Sequence, residues 1–224
     1  MCGIVGVISK SHFGFMQKHL DLFYQLLHSD ELRGDDATGL IYIENDSGFG
    51  ILKDAVPASW CADSMIRHNL LTDRIRKGKA LIGHNRKATM GRVVAETSHP
   101  FVVDKTFAMV HNGTLRGHKK LKETEVDSEA LAHLLEPVLK SGVSKEELEE
   151  QMGKIDGAYA VSAYSQSENS MFLLRNGERP LSLLELPDCW LFASESGLLL
   201  WIAGRNGYDL AKASLKPLKE HVIY

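Results

Sequence analysis

Cys2 is the residue whose position holds the most chemistry, because loss of Met1 would leave a thiol and a free α-amine on one carbon. An α-amine titrates at about 7.7 to 8.0 and a free thiol at about 8.5, so the amine can serve as a base close to neutral pH. Nucleophile and base would then share a residue, although Cys2 taken alone also reads as a small hydrophobe at a strand start. His111-Asn112-Gly113 offers a second element of acyl-transfer chemistry. The Asn112 amide and the Gly113 N–H are donors of the kind that hold the oxyanion of a tetrahedral intermediate, while Asn-Gly alone is also a common turn. Arg86 has the planar fork that suits a carboxylate, and Asp127 could accept from an ammonium or cap the helix it begins. An α-amino acid has both of those charged ends.

These residues need elements to position them. Ile4 to Ile8 reads as a strand interrupted by Gly6, and Met16, Leu20, Phe23, Tyr24 and Leu27 have the three-and-four spacing of a helix over about His12 to Ser29. Leu40–Glu44 and Phe49–Lys53 flank Asn45-Asp46-Ser47-Gly48 as a β-hairpin, and a second helix is expected over about Ala58 to Lys77. Ala80–His84 and Phe107–His111 read as strands that deliver the polar segment 85–98 and the Asn112-Gly113 pair. A helix opens at Asp127 and should kink or end near Pro137, and Ser144-Lys145-Glu146-Glu147 is a capping box for another that stops at Gly153. Strands are then expected at Ala158–Tyr164, Ser170–Arg175, Leu181–Leu186, Trp190–Ser194 and Leu198–Ile202. Their close succession favours antiparallel pairing, so the chain reads as one α+β domain with helices covering mainly antiparallel sheets.

Composition narrows the classes. The chain has 224 residues, 44% hydrophobic and 25% charged, enough for a packed core, and a formal net charge of −3 is no nucleic-acid footprint. Its longest obvious apolar run, Leu198 to Ala203, is far below the ~20 residues of a membrane span, and the N-terminus lacks the basic start of a secretory signal. A cytoplasmic protein with no membrane partner is expected. Cys2, Cys61 and Cys189 form no disulfide or zinc pattern, and His84, His99 and His111 show no metal-ligand spacing, so neither metal nor cofactor is expected. Asp35-Asp36 is adjacent in sequence, which suits a loop better than a catalytic carboxylate pair.

Taken in order, the motifs resemble a known family. Cys2-Gly3-Ile4-Val5-Gly6, Arg33-Gly34-Asp35-Asp36-Ala37-Thr38-Gly39, Arg86-Lys87-Ala88-Thr89-Met90-Gly91, Ser98-His99-Pro100-Phe101, His111-Asn112-Gly113 and Asp127-Ser128-Glu129 follow the sequence pattern of class II glutamine amidotransferases. Asp156-Gly157-Ala158-Tyr159-Ala160, Arg175-Asn176-Gly177 and Phe192-Ala193-Ser194-Glu195 extend the match. The resemblance is to their glutaminase domain, a member of the N-terminal-nucleophile hydrolases, and implies a four-layer αββα sandwich. It implies that Cys2 attacks the side-chain amide of L-glutamine with its α-amine relaying the proton. It also implies that Asn112 and the Gly113 N–H hold the oxyanion, that Arg86 binds the α-carboxylate and Asp127 the α-amino group, and that Arg33 and Thr89 lie near the substrate.

Two positions depart from the family pattern: Lys87 stands where many members have Trp, and Met90 where they have His. They fall in a loop that closes over glutamine in two-domain relatives. A retained Met1 would also lock the proposed base into a peptide bond. Residues 1–224 are expected to be a single glutaminase domain, its ammonia passing to a separately encoded acceptor enzyme. Two alternatives are a stand-alone hydrolase of a γ-glutamyl or other amide and a catalytically silent glutamine-binding or scaffold module.

Overall fold

The computed structural model describes residues 1–61, 73–140, 144–153, 155–177 and 179–224. In chain order the elements are β1 (Gly3–Ser9), α1 (Gln17–Ser29), β2 (Ala37–Ile43), β3 (Phe49–Asp54), β4 (Ala80–Arg86), β5 (Phe101–Val103), β6 (Phe107–Leu115), α2 (Asp127–Lys140), α3 (Lys145–Gly153), β7 (Gly157–Ser165), β8 (Ser170–Arg175), β9 (Ser182–Glu185), β10 (Cys189–Ala193), α4 (Ser196–Arg205) and β11 (Ser214–Pro217). One sheet has the order β11-β9-β10-β1-β4-β2-β3 and the other β5-β6-β7-β8. Every pairing in both is antiparallel.

The period of two along β1 sets the layers. Val5 and Val7 point to one face, where they pack with Leu20, Phe23 and Leu26 of α1 and Leu199 and Ile202 of α4. Ile4 points to the other face and meets Ile41 and Ile82 of its own sheet together with Val110, Ala160 and Tyr164 of the second. Beyond that sheet, Leu131 and Leu135 of α2 and Leu148 of α3 cover Met109, Tyr159 and Val161. The result is helix, sheet, sheet, helix, as the resemblance implied. Gly6 is no interruption: it pairs with Phe192 across β1 and β10, and a Cβ there would run into the Phe192 ring.

Some expectations need correction. Leu198–Ile202 is helical, within α4, because a short apolar run has no period that distinguishes a strand from a buried helix turn. Leu199, Ile202 and Ala203 are buried at helical spacing while Trp201 is 53% exposed. Two others hold: α2 ends at Lys140 with Pro137 in its last turn, and Ser144 caps α3 by accepting from the Glu147 N–H at 3.2 Å. The short strands β5 and β11 had no anticipated counterpart. The helix expected at Ala58 to Lys77 falls largely outside the described residues, with helical ends at 58–61 and Asp73–Arg76.

Asp30, just past α1, is wholly buried beside Gly3 and accepts from Asn85 Nδ2 at 3.1 Å. Burial pushes its carboxyl up to about 7, against the smaller opposing effects of Asn85 and Arg33. The folded chain therefore holds a proton on Asp30 from pH ~4 to ~7 that the unfolded chain has released. Stability from this group is full below the unfolded value of 3.8 and is lost as pH rises through about 7. Asp30→Asn should be more stable than wild type at pH 8.5, with the gap closing below pH 5, when thermal unfolding is followed across that range. Parallel pH profiles for the two proteins would contradict the assignment.

Candidate active site

Cys2 lies immediately ahead of β1, and the pairing of Gly3 with Asn85 brings it alongside the end of β4. There the Lys87 N–H donates to Cys2 Sγ at 3.3 Å and the thiol reaches the Lys87 carbonyl at 3.4 Å. Burial pushes the Cys2 thiol up, opposed by the Lys87 N–H and by the positive charges of the N-terminal amine and Arg86. Arg33 Nε donates to the Cys2 carbonyl at 2.9 Å and its guanidinium pairs with Glu195. Ser194 then fixes Ile4, two residues on, its Oγ accepting from the Ile4 N–H at 3.0 Å and its own N–H donating to Ile4 O at 2.9 Å.

The second sheet brings β6 to the same place. Asn112 Nδ2 points at Ser194 Oγ, 3.5 Å away, so one serine touches both the start of β1 and the Asn112 amide. At Gly113 a Cβ would collide with the Ala158 carbonyl, which explains why the position takes no side chain. Asp127 is more than a helix cap. Its Oδ2 accepts from the Leu115 N–H of β6 at 2.8 Å and its Oδ1 from the Ser128 N–H at 2.9 Å, while Ser128 Oγ lies 2.9 Å from His111 Nδ1.

Of the residues singled out in the sequence, Cys2, Arg86, Thr89, Gly113 and Asp127 line one cavity of ≈ 20 Å³, together with Met90, His99 and His111. Asn112 is buried but is not among its lining residues, and Arg33 lines a separate open cleft of ≈ 730 Å³ beside Met1, Lys87 and Trp201. The smaller cavity has room for about one water molecule and none for an amino acid. What closes it is the loop after β4. Arg86 Nη2 donates to Met90 O at 2.6 Å and Nη1 to Arg92 O at 2.9 Å, folding the loop back over its own root. Lys87 Nζ pairs with Asp35 at 2.8 Å and Asp36 at 3.2 Å, and Asp36 Oδ2 accepts from the Ala88 N–H at 2.8 Å. At the far side Arg92 pairs with Glu125 through both its backbone N–H, 2.7 Å, and its guanidinium.

Sequence reasoning gave no site role to Asp36, His99, Glu125, Ser128 or Ser194. Ser194 and His99 stood in matched motifs, so their positions carried a signal without a function; Glu125 carried none. Among the described residues one group has metal-ligand composition, His19, Asp188 and Cys189. His19 Nδ1 accepts from the Met16 N–H at 3.3 Å, which leaves the ring proton on Nε2, and Lys18 pairs with Asp188, so the cluster reads as support for α1. Among the described residues no helix is long and apolar enough to cross a membrane.

The fold recurs in solved structures. The glutamine phosphoribosylpyrophosphate amidotransferase of B. subtilis, complexed with ADP and GMP, superposes with a TM-score of 0.71 at 24% identity over 98% of this chain and 46% of that one. The shared fold is the four-layer αββα sandwich. Residues 84–201 match the family model of the glutamine amidotransferase domain, and the chain belongs to that family of enzymes. Curated relatives include the glutamine–fructose-6-phosphate aminotransferases of Bartonella henselae, 28% identical over 82% of this chain and 30% of theirs, and of Thermus thermophilus, 33% identical over 72% and 26%. The chain thus spans about a third of the length of these relatives.

The two ionic contacts define a testable latch on the loop. Exposed ion pairs contribute up to about 1 kcal/mol, a factor of about five. Glu125→Gln should therefore speed alkylation of Cys2 by a small neutral reagent by up to about five-fold. High salt should speed the reaction of the wild type more than that of the variant. Equal rates for the two proteins, read by mass spectrometry, would contradict the latch.

Proposed function

We propose that the chain hydrolyses the side-chain amide of L-glutamine through a Cys2 thioester, giving glutamate and ammonia. The observation that supports this most is the convergence of Cys2, Arg86, Gly113 and Asp127 on one cavity. They supply a nucleophile, a cation, a backbone donor and an anion, the complement of an amide-bearing α-amino acid.

Loss of Met1 frees the Cys2 amine. Glutamine enters as the loop after β4 swings out, which releases the Arg86 Nη groups from the carbonyls of Met90 and Arg92 to take the α-carboxylate. Asp127, held against β6 by the Leu115 N–H, retains lone pairs for the α-ammonium. Sγ attacks the amide carbon, and the thiol proton passes by way of the α-amine to the departing nitrogen. The oxyanion is held between the Gly113 N–H and the Asn112 amide. Collapse expels ammonia and leaves a thioester; water attacks the thioester carbon, and glutamate departs as the thiol is restored. The Lys87 N–H donates to Sγ, favouring the thiolate against the burial that disfavours it.

We further propose that residues 1–224 form one glutaminase domain whose ammonia goes to an acceptor enzyme. Cys2→Ala should abolish glutamate release from L-glutamine. Asn112→Ala should lower kcat by about 10² to 10³ while leaving the fold intact, the usual effect of removing one oxyanion donor. Full activity in Cys2→Ala would refute the mechanism, and faster turnover of γ-glutamyl amides than of free glutamine would assign the site to a different substrate.

A further inference from the structure

His99 lines the cavity, and the proposed hydrolysis gives it no task. It is 3% exposed, and neither of its ring nitrogens has a hydrogen-bond partner among the described residues. The ring is wedged in place: its centroid lies 3.8 Å from that of His84 and 4.9 Å from that of Phe101, so it has little freedom to turn toward solvent. A neutral imidazole carries one donor and one acceptor, and leaving such groups buried and unpaired costs about 1 to 3 kcal/mol. The wall of the cavity shared with Cys2 and Arg86 is where a partner for it can arrive.

The surroundings indicate which part of a ligand that partner is. Arg86 and Lys53 are the charged groups that act on His99, both cationic, while its other titratable neighbours, His84 and His111, are buried and neutral. Lys53 Nζ is committed to the carbonyls of Ser98 and Pro100, at 2.9 and 3.1 Å, and so anchors the peptide on either side of His99. Thr97, two residues earlier, has its Oγ1 3.4 Å from Arg86 Nη1, which puts this segment on the guanidinium side of the cavity.

We propose that His99 is a substrate-binding residue of this site, whose ring N–H donates to the α-carboxylate that Arg86 neutralises. The inference rests on the glutaminase reading of the site. It explains why a hydrogen-bonding ring occupies a position where, in the free protein, a phenyl ring would fit the aromatic packing without an unpaired group.

The test is His99→Phe, with His99→Gln as a second variant that keeps a donor. L-Glutamate binding to each protein is measured by calorimetry, alongside binding of 4-aminobutyrate, which lacks the α-carboxylate, and thermal unfolding. In His99→Phe, L-glutamate should bind about 10- to 100-fold more weakly, the effect of a lost hydrogen bond to a charged group. Its Tm should be unchanged or higher, 4-aminobutyrate should bind as to wild type, and His99→Gln should recover part of the affinity. Unchanged glutamate affinity, a fall in Tm without a change in affinity, or equal weakening for both ligands would overturn the proposal. Should His99→Phe fail to fold, glutamate affinity in His99→Gln equal to that of a His99→Leu variant would overturn it as well. Because binding is read without turnover, a wild type that binds glutamate but releases none from glutamine would defeat the glutaminase reading separately.

Discussion

The pairing of Gly3 with Asn85 is the constraint on which the site depends. Cys2 lies just ahead of β1, so its position comes from the strand it leads into and the strand alongside. The antiparallel ladder of β1 and β4 meets that need, because the register that sets Gly3 opposite Asn85 also sets Arg86 and Lys87 beside Cys2. The same register lets the Lys87 N–H reach Sγ and lets Arg33 reach the Cys2 carbonyl from the loop before β2. A slip of one residue would turn Ile4 toward the helices and Val5 toward the second sheet, and both cores forbid it.

The second sheet completes the site from across the inter-sheet core. Val110 packs into that core while His111, Asn112 and Gly113 continue beyond it along β6. Ser194 links the two sheets at this level, bonding to Ile4 and facing Asn112. Rigidity at the floor contrasts with the roof, where the loop after β4 is held by exposed charge pairs at Lys87 and Arg92. Lys87, where the family pattern often has Trp, gives the loop an ionic contact with Asp35 and Asp36. Rapid entry of substrate is easier to reconcile with contacts of this strength than with a buried seam.

Much of this was legible in the residues themselves. Cys2, Asn112-Gly113 and Asp127 each have an ordinary structural reading taken alone, and the ordered resemblance singled them out together with Arg86; the β-rich runs around Ile4, Ala80 and Phe107 marked the strands that lead to this place. What stayed hidden depends on contacts distant in sequence. Ser194 acts on Ile4 from 190 residues away, and nothing local distinguishes it from any serine after a strand. Asp30 follows the predicted helix with no signal of its own, and its burial follows from the packing of α1 against β1. His99 belonged to a matched motif, but its unpaired nitrogens are a property of the fold. The segment at Leu198 was misread because Leu-Leu-Leu-Trp-Ile suits either a strand or a buried helix turn.

The central claim is that Cys2, once freed of Met1, is a nucleophile seated in a glutamine pocket. Intact-mass measurement after incubation with a chloroketone analogue of L-glutamine tests it most directly, since one spectrum reports both the loss of Met1 and the state of the thiol. The account predicts a single adduct on the Met1-free chain, located at Cys2 by peptide mapping and prevented by excess L-glutamine. An unmodified Met1-free chain, or an adduct on Cys61 or Cys189 that L-glutamine does not prevent, would contradict it.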